Sequence, residues 1–385
     1  MQFELTKEQK IIKKSAYEFA QKELAPFARD RQESGKWPYD VWEKLCGLGF
    51  TGMVVPEKYG GQAADGTKYM DSMMMLEEFA RADDAFTTSI QVHHIICDMF
   101  LAYGTDAQKD YWLPKLASGE VMGAFALTEP NAGSDANAIE TRAELINGEW
   151  VINGTKIFIT NAGLENSMGV LLMCVTGQEA SGQRKEISSI IVPRGTSGFI
   201  LGSKFAKIGW NIMDTREIIF KDCRVPEENL LGIRGKGLSQ ALGGLSLGRC
   251  DFGAIGTGVA QAALDCSLKY AKARVQFGRP ICKNQAIAFM LADMAVNVET
   301  ARLHTYKAAW LKDQGRPHET EATMAKLVAS EMARKNVNSG FQIHGGWGFM
   351  KEYEISRLYQ NVKILEIGEG TSEVCRIVIS RAIGC

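Results

Sequence analysis

The sequence predicts an α+β fold in which a middle β-domain separates two helical lobes, and three observations carry that prediction. Apolar residues recur at helical spacing through the first 120 residues, short runs rich in β-branched and aromatic residues follow from Val121, and long helical periodicity returns from about Gly235. The domains so drawn are 1–120, all-α; 121–234, β; and 235–385, an α-helical bundle. At 385 residues the chain exceeds the roughly 250–300 residues at which single cores stop growing, so several packed lobes are expected.

Thr6-x-x-Gln9 is a capping-box pattern, and Ile11, Ile12, Ala16, Phe19, Ala20 and Leu24 follow at helical spacing until Pro26. Further helices are expected at Tyr39–Leu48, Lys68–Arg81, Thr87–Tyr103 and Asp106–Ala117, punctuated by Gly and Pro. Strands are expected at Val121–Leu127, Ile139–Leu145, Glu149–Ile152, Lys156–Thr160, Gly169–Val175, Ile187–Val192, Phe199–Ser203 and Arg216–Phe220, with turns at Asn147-Gly148 and Asn153-Gly154. Leu238–Arg274, Asn284–Gln314 and Glu319–Ile343 are long enough for bundle helices, and Ser372–Ile383 closes the chain. Met73–Met75 fall in a helical segment as flexible core filler.

Lys and Arg number 44 against 45 Asp and Glu, so the net charge of -1 points to no polyanionic partner, and nucleic acid is set aside. Nine cysteines, an odd count without Cys-x-x-Cys spacing, argue for free thiols in a reducing compartment and against structural zinc. No basic, then apolar, leader and no run of about 18 apolar residues is present, which points to a soluble cytoplasmic protein without membrane contact. His93 and His94 lack further ligands at useful spacing, so no metal site is expected. Gly253-Ala-Ile-Gly256-Thr-Gly258 follows no strand; close helix packing explains it better than a Rossmann site.

The stretch Ile364-Leu-Glu-Ile-Gly-Glu-Gly-Thr-Ser-Glu-Val374 places the Glu369 carboxylate between two glycines ahead of a helix. Alone, it reads as a helix N-cap by Thr371 or Ser372; mobile backbone would also let the carboxylate reach a pocket.

Four stretches together resemble the acyl-CoA dehydrogenase family. They are Phe125-Ala-Leu-Thr-Glu-Pro-Asn-Ala-Gly-Ser-Asp135; Gly154-Thr-Lys-Ile-Phe-Ile-Thr-Asn161; Arg274-Val-Gln-Phe-Gly-Arg-Pro-Ile281 with Asn284-Gln285; and Gln342-Ile-His-Gly-Gly-Trp-Gly-Phe349 leading to Glu369-Gly-Thr-Ser372. Each is a weak string alone, while their order spans almost the whole chain. The resemblance implies a helical N-terminal domain, a middle β-barrel or sandwich, a C-terminal four-helix bundle, non-covalent FAD, and a homotetramer built as a dimer of dimers. It puts Phe125, Leu127 and Thr128 beside the flavin ring, with Phe158 and Thr160 on its other side; Phe158 stands where relatives often carry Trp. It assigns the ADP half to Arg274, Phe277 and Gln285, with Arg274 and Phe277 reaching from a neighbouring subunit, and to Gln342, Gly345 and Gly346; Thr371 and Glu373 also touch the cofactor. Without the other motifs, Arg274 reads as a cation at a helix C-terminus.

The same resemblance implies loss of a Cα proton and a Cβ hydride from an acyl-CoA, giving a trans-2-enoyl-CoA, with Glu369 as base and electrons passing to an electron-transfer flavoprotein. One branch of the family carries the base just before the arginine matching Arg249; here that residue is Gly248, which leaves Glu369. Arg249, Ser134, Gln91, Gly368 and Gly370 are expected near the substrate, although a helix-core role for Gln91 stays open. Gly368 replaces a tyrosine common in the family, and the space so opened points to a short branched or cyclic acyl group. No arginine around Asp84–Ser89 suits a dicarboxylic chain. The alternatives are the reverse enoyl-CoA reductase direction, a flavin-dependent oxidase or monooxygenase, and a catalytically inert CoA-binding scaffold.

Overall fold

The computed structural model describes residues 4–65, 68–178 and 185–385. The capping box forms as read: Thr6 Oγ1 accepts from Gln9 N–H, and α1 (Lys7–Phe19) runs from it. Short helices α2 (Ala28–Ser34) and α3 (Tyr39–Gly47) lead to α4 (Lys68–Tyr103) and α5 (Asp106–Ala117). The two helices expected at Lys68–Arg81 and Thr87–Tyr103 join into α4, but Asp83 at φ -149° and ψ 92° breaks it. The halves fold back on each other, since Tyr69 bonds Asp98 and the Ser72 hydroxyl meets His94 Nδ1 at 3.4 Å. Met73, Met74 and Met75 are fully buried there.

The middle region contains β1 (Phe125–Ala126), β2 (Arg142–Ile146), β3 (Glu149–Thr160), β4 (Gly169–Gln178), β5 (Lys185–Pro193), β6 (Phe199–Lys204), β7 (Thr215–Pro226) and β8 (Leu230–Leu231). They join in one sheet of order β6-β7-β3-β2-β4-β5-β8, with β1 beside β4. Phe220 and Val225 of β7 share a core cluster with Ile190 and Val192 of β5. Strands so far apart in the sheet meet only if it curls around that core, which gives the barrel- or sandwich-like β-domain. Asn147 and Gly148, both at positive φ, make the β2–β3 hairpin turn. Asn153-Gly154 makes no turn: β3 runs straight through with a register shift. Gly154, at φ 149°, lies where a Cβ would stand 2.5 Å from Thr141 Oγ1, so glycine serves close strand approach there. Of the strand expected at Val121–Leu127, only Phe125–Ala126 forms regular pairing, parallel to β4.

Helices α6 (Gly237–Ala273), α7 (Gln285–Asp313) and α8 (Glu319–His344) follow, then α9 (Glu354–Asn361), unpredicted, and α10 (Ser372–Ala382). A small hairpin, β9 (Val275–Gln276) with β10 (Arg279–Pro280), lies between α6 and α7. The α6 glycines do pack helices closely: a Cβ on Gly253 would stand 2.6 Å from Thr305 Oγ1, on Gly256 2.9 Å from the Ala329 backbone, and on Gly258 2.3 Å from the Glu77 carbonyl.

Asp84, fully buried, ties the three regions together. Its carboxylate accepts from Arg357 Nη1 at 2.8 Å, Asn361 Nδ2 at 2.9 Å and Trp210 Nε1 at 2.6 Å, so one helical anion holds two residues of α9 and one of the middle region.

Candidate active site

Glu369 lies in the turn before α10 at φ 55°, and Gly370 follows at φ 94°. A left-handed non-glycine residue costs on the order of 1–3 kcal/mol and persists only where its surroundings hold it. Lys326, fully buried on α8, supplies that hold, its Nζ donating to the Gly370 carbonyl at 2.6 Å. The backbone expected to be mobile is thus pinned. Thr371 Oγ1 accepts from Val374 N–H at 3.2 Å, so the N-cap reading holds alongside; Glu373 is exposed in the first turn of α10.

Gln91 Nε2 donates to Glu369 Oε1 at 3.4 Å. Glu369 Oε2 and Gln91 Oε1 are sealed from solvent without a hydrogen-bond partner. Burial raises the Glu369 pKa above the ordinary 4.5, against the Gln91 amide bond and the positive charges of Arg249 and Lys326. A buried carboxylate with an idle oxygen is poised to accept a proton. Gly248 faces it directly: a Cβ there would stand 2.5 Å from Glu369 Oε2. Residue 248 and Glu369 thus address one point in space, and this chain leaves it to Glu369. Gly248→Ala is expected to displace the carboxylate and slow turnover by about 10²-fold, the scale of a 1 Å misplacement, with little change in the folded fraction by circular dichroism.

Arg249 is buried, its Nη1 donates to Thr323 Oγ1 at 3.2 Å, and Nη2 would lie 3.8 Å from a Cβ on Gly370. The gap expected at Gly368 is corrected by the structure. The ring of Phe252 comes within 3.1 Å of where a Cβ at 368 would stand, so the volume is already filled.

Lys156, fully buried, joins the two middle-domain motifs. Its Nζ donates to the Leu127 carbonyl at 2.8 Å and to Glu129 Oε1 at 2.7 Å, while Ile157 N–H donates to the Thr128 carbonyl at 2.9 Å. Phe125, Leu127, Thr128 and Thr160 are half-buried, and Ser134 is exposed in the loop that ends the first motif. Phe158 adopts φ 58° and leaves 61% of its area exposed, tilted on Phe205 with centroids 5.6 Å apart.

Arg274, Gly345 and Gly346 line a cavity of about 560 Å³ with Tyr270, Gln276 and Trp347, and none of the middle-domain residues or Glu369 lines it. Gln342 and Gln285 are exposed, and Phe277 is 98% exposed at the β9–β10 turn. Nothing stands within 4 Å of a Cβ at Gly345 or Gly346. Open glycine backbone beside an arginine suits a pyrophosphate, and an uncovered aromatic ring beside half-buried apolar groups suits a flat heteroaromatic ring, so these residues fit FAD.

His93 and His94 are core residues. His93 Nδ1 accepts from Gly123 N–H at 3.1 Å, and burial holds the two pKa values down to about 3 and about 4. Among the described residues no cluster of His, Cys, Asp or Glu could hold a metal, and no helix is long and apolar enough to cross a membrane. Sequence reasoning missed Lys326, Lys156, Glu129 and Phe252, which lie outside the carboxylate's own motif or read as ordinary helix and strand positions.

Three family models match the chain: the acyl-CoA dehydrogenase N-terminal domain over 6–120, middle domain over 124–223 and C-terminal domain over 235–384. The chain is 45% identical over 384 residues to the Bacillus subtilis protein named "Probable acyl-CoA dehydrogenase YngJ", with all of both chains covered. It is 42% identical over 385 residues to the acryloyl-CoA reductase (NADH) of Anaerotignum propionicum, covering 100% of this chain and 96% of that one. The solved butyryl-CoA dehydrogenase of Megasphaera elsdenii superposes with a TM-score of 0.95 at 38% identity over the full length of both. Matching models along nearly its whole length, full-length relatives and a site that fits the flavin together show that the chain belongs to the acyl-CoA dehydrogenase family, as an FAD-dependent oxidoreductase.

Proposed function

We propose that the protein dehydrogenates a short acyl-CoA to its trans-2-enoyl-CoA, with Glu369 taking the Cα proton. The observation that carries this is the Glu369 carboxylate, held in a strained turn by Lys326 with Oε2 lacking any partner. When bound, FAD supplies the acceptor for the Cβ hydride that leaves as the double bond forms. The chain's part is to hold the thioester so that Cα faces Glu369 and to polarise the carbonyl, for which the Glu369 backbone N–H is the donor proposed. Raised proton affinity makes the carboxylate a stronger acceptor once substrate excludes water. Arg249, Gly370, Gln91 and Ser134 are the further substrate contacts proposed. The flavin contacts proposed are Phe125, Leu127, Thr128, Phe158 and Thr160 at the ring, with Arg274, Phe277, Gln285, Gln342, Gly345 and Gly346 at the ADP end and Thr371 and Glu373 beside the base.

A short chain is favoured because the full-length superposing relative from Megasphaera elsdenii is a butyryl-CoA dehydrogenase; a branched or cyclic group would need open volume beside Gly368, where Phe252 stands. A homo-oligomer is proposed from two features. Phe289, Val296, Leu303 and Trp310, spaced by seven, leave 60, 64, 54 and 36% of their areas exposed along one face of α7. The ring-side and ADP-side groups also line separate places in one chain, as expected if a second copy completes the FAD site. A dimer of dimers passing electrons to an electron-transfer flavoprotein is the arrangement proposed. A chain from work on the electron transferring flavoprotein of Acidaminococcus fermentans superposes with a TM-score of 0.95.

The test is anaerobic titration of the purified flavoprotein with straight, branched, cyclic and dicarboxylic acyl-CoAs. Bleaching of the oxidised flavin band by butyryl-CoA is expected. The acryloyl-CoA reductase relative favours one second reading, the reverse direction on the same site; consumption of NADH with a short enoyl-CoA and no bleaching by any acyl-CoA would establish it. A bound flavin inert to both would leave the oxidase or monooxygenase reading, and a colourless protein the inert scaffold.

A further inference from the structure

On the chemistry proposed above, Glu369 gains one proton for each double bond formed and must lose it before the next. Its surroundings give that proton no direct way out. Oε2 is sealed from solvent, and the groups acting on the carboxylate are the Gln91 amide and the cations Arg249 and Lys326, none of which takes a proton onward. Asp251 is different. It lies on α6 one turn beyond Gly248, whose missing side chain makes room for Glu369 Oε2; residues three apart share a helix face, and each Cα–Cβ bond tilts back toward the preceding turn. The Asp251 side chain is fully buried, and neither carboxyl oxygen has a hydrogen-bond partner among the described residues. Ionising such a group costs far more than keeping its proton, so Asp251 is a neutral acid. Burial raises its proton affinity well above the ordinary 3.8; the charge of Lys312 opposes the rise, and those of Glu369 and Asp98 add to it.

The groups around Asp251 are Glu369 from the turn before α10, Lys312 from α7, and Asp98 and Tyr69 from α4. The last three form one cluster. Lys312 pairs with Asp98 at 3.2 Å, Lys68 lies 3.7 Å from Asp98, and the Tyr69 hydroxyl donates to it. Against the pull of burial, the two lysines hold the Asp98 carboxyl below the ordinary 3.8, so it stands as an anion that can receive a proton but not keep it. Lys68, at the start of α4, leaves 25% of its side chain exposed, and there the cluster meets solvent. We propose that Asp251 is a positioning residue for the proton: it takes on one oxygen the proton that Glu369 gained from Cα, and gives its own from the other oxygen to Asp98. This rests on the function proposed above and extends it to the resetting of the base. Glu369 becomes a carboxylate again, Asp251 ends as it began with one proton, Asp98 loses the proton it received to solvent beside Lys68, and no electron moves. A neutral carboxyl group suits the task because it donates and accepts at once, and its terminal torsion is broad enough to turn from one side to the other. An amide of the same shape cannot hand a proton on.

The experiment mixes the holoenzyme anaerobically with butyryl-CoA in weak buffer. It follows flavin bleaching, proton release to an indicator dye, and free crotonyl-CoA captured by an added hydratase. In the parent, proton release is expected to keep pace with bleaching and to precede free product. Asp251→Asn is expected to lower the ratio of proton-release rate to bleaching rate at least about tenfold, within what a positioned proton-transfer group contributes. A merely structural role would slow both together and leave the ratio unchanged. Asp98→Asn removes the acceptor at the other end, is expected to lower the same ratio, and decides the matter if Asp251→Asn does not fold. A parent whose proton appears only with free crotonyl-CoA, or a variant ratio equal to the parent's, overturns the relay and leaves Glu369 standing as the base. A parent that no acyl-CoA bleaches overturns the function and this proposal with it.

Discussion

Glu369→Gln is expected to bind FAD and acyl-CoA as the parent does and to lose flavin reduction by about 10²–10⁴-fold, the usual contribution of a positioned general base. Glutamine keeps the side-chain length and an acceptor for the Gln91 amide, so the turn held by Lys326 should survive. Unchanged bleaching by butyryl-CoA would place the base elsewhere. The pH dependence follows from the raised proton affinity. The base works ionised, so the parent's rate of flavin reduction is expected to fall as pH drops through a value above the ordinary 4.5. The same group opposes folding at higher pH: a carboxyl whose folded pKa is raised loses stability as pH rises from its unfolded toward its folded value. Glu369→Gln should therefore melt higher than the parent at neutral pH and not in acid. A lower melting point at neutral pH would mean the carboxylate is structurally required.

Asp84→Ala is expected to cost about 3–5 kcal/mol, the scale for removing one partner of a buried ion pair. Trp210 and Asn361 would be left buried without their acceptor, Arg357 would keep only its pairing with Glu354, and three contacts between regions would go together. Asp84→Asn keeps one acceptor oxygen and should lose less. Denaturant unfolding checks this, and a loss below about 1 kcal/mol would mean water or neighbouring carbonyls satisfy the stranded donors.

Several local features were legible because they depend on near neighbours in the chain. The Thr6–Gln9 box, the Asn147-Gly148 turn, the Thr371 cap and the helical glycines of α6 each follow from one residue type at one spacing. Asn153-Gly154 misled because a glycine before β-branched residues has the same local signature whether the chain turns or a neighbouring strand comes close; Thr141, distant in sequence, decided it. Gly368 misled likewise, since an absent side chain reads as space until the residue opposite is known.

The sequence by itself determined the order of helical, strand and helical regions and the family, and it supplied the motifs for which flavin contact and a base at 369 are proposed, since each is written in local periodicity or contiguous motif residues. Tertiary structure alone decided how that carboxylate is held and what surrounds it. Lys326 pins its turn, Gly248 clears its place, Phe252 fills the volume beside it, and Asp84 locks α9 and Trp210 to α4. The physical reason is common to all four: steric exclusion and buried hydrogen bonds act over a few ångströms between residues tens to hundreds of positions apart, and no local pattern records which of them will meet.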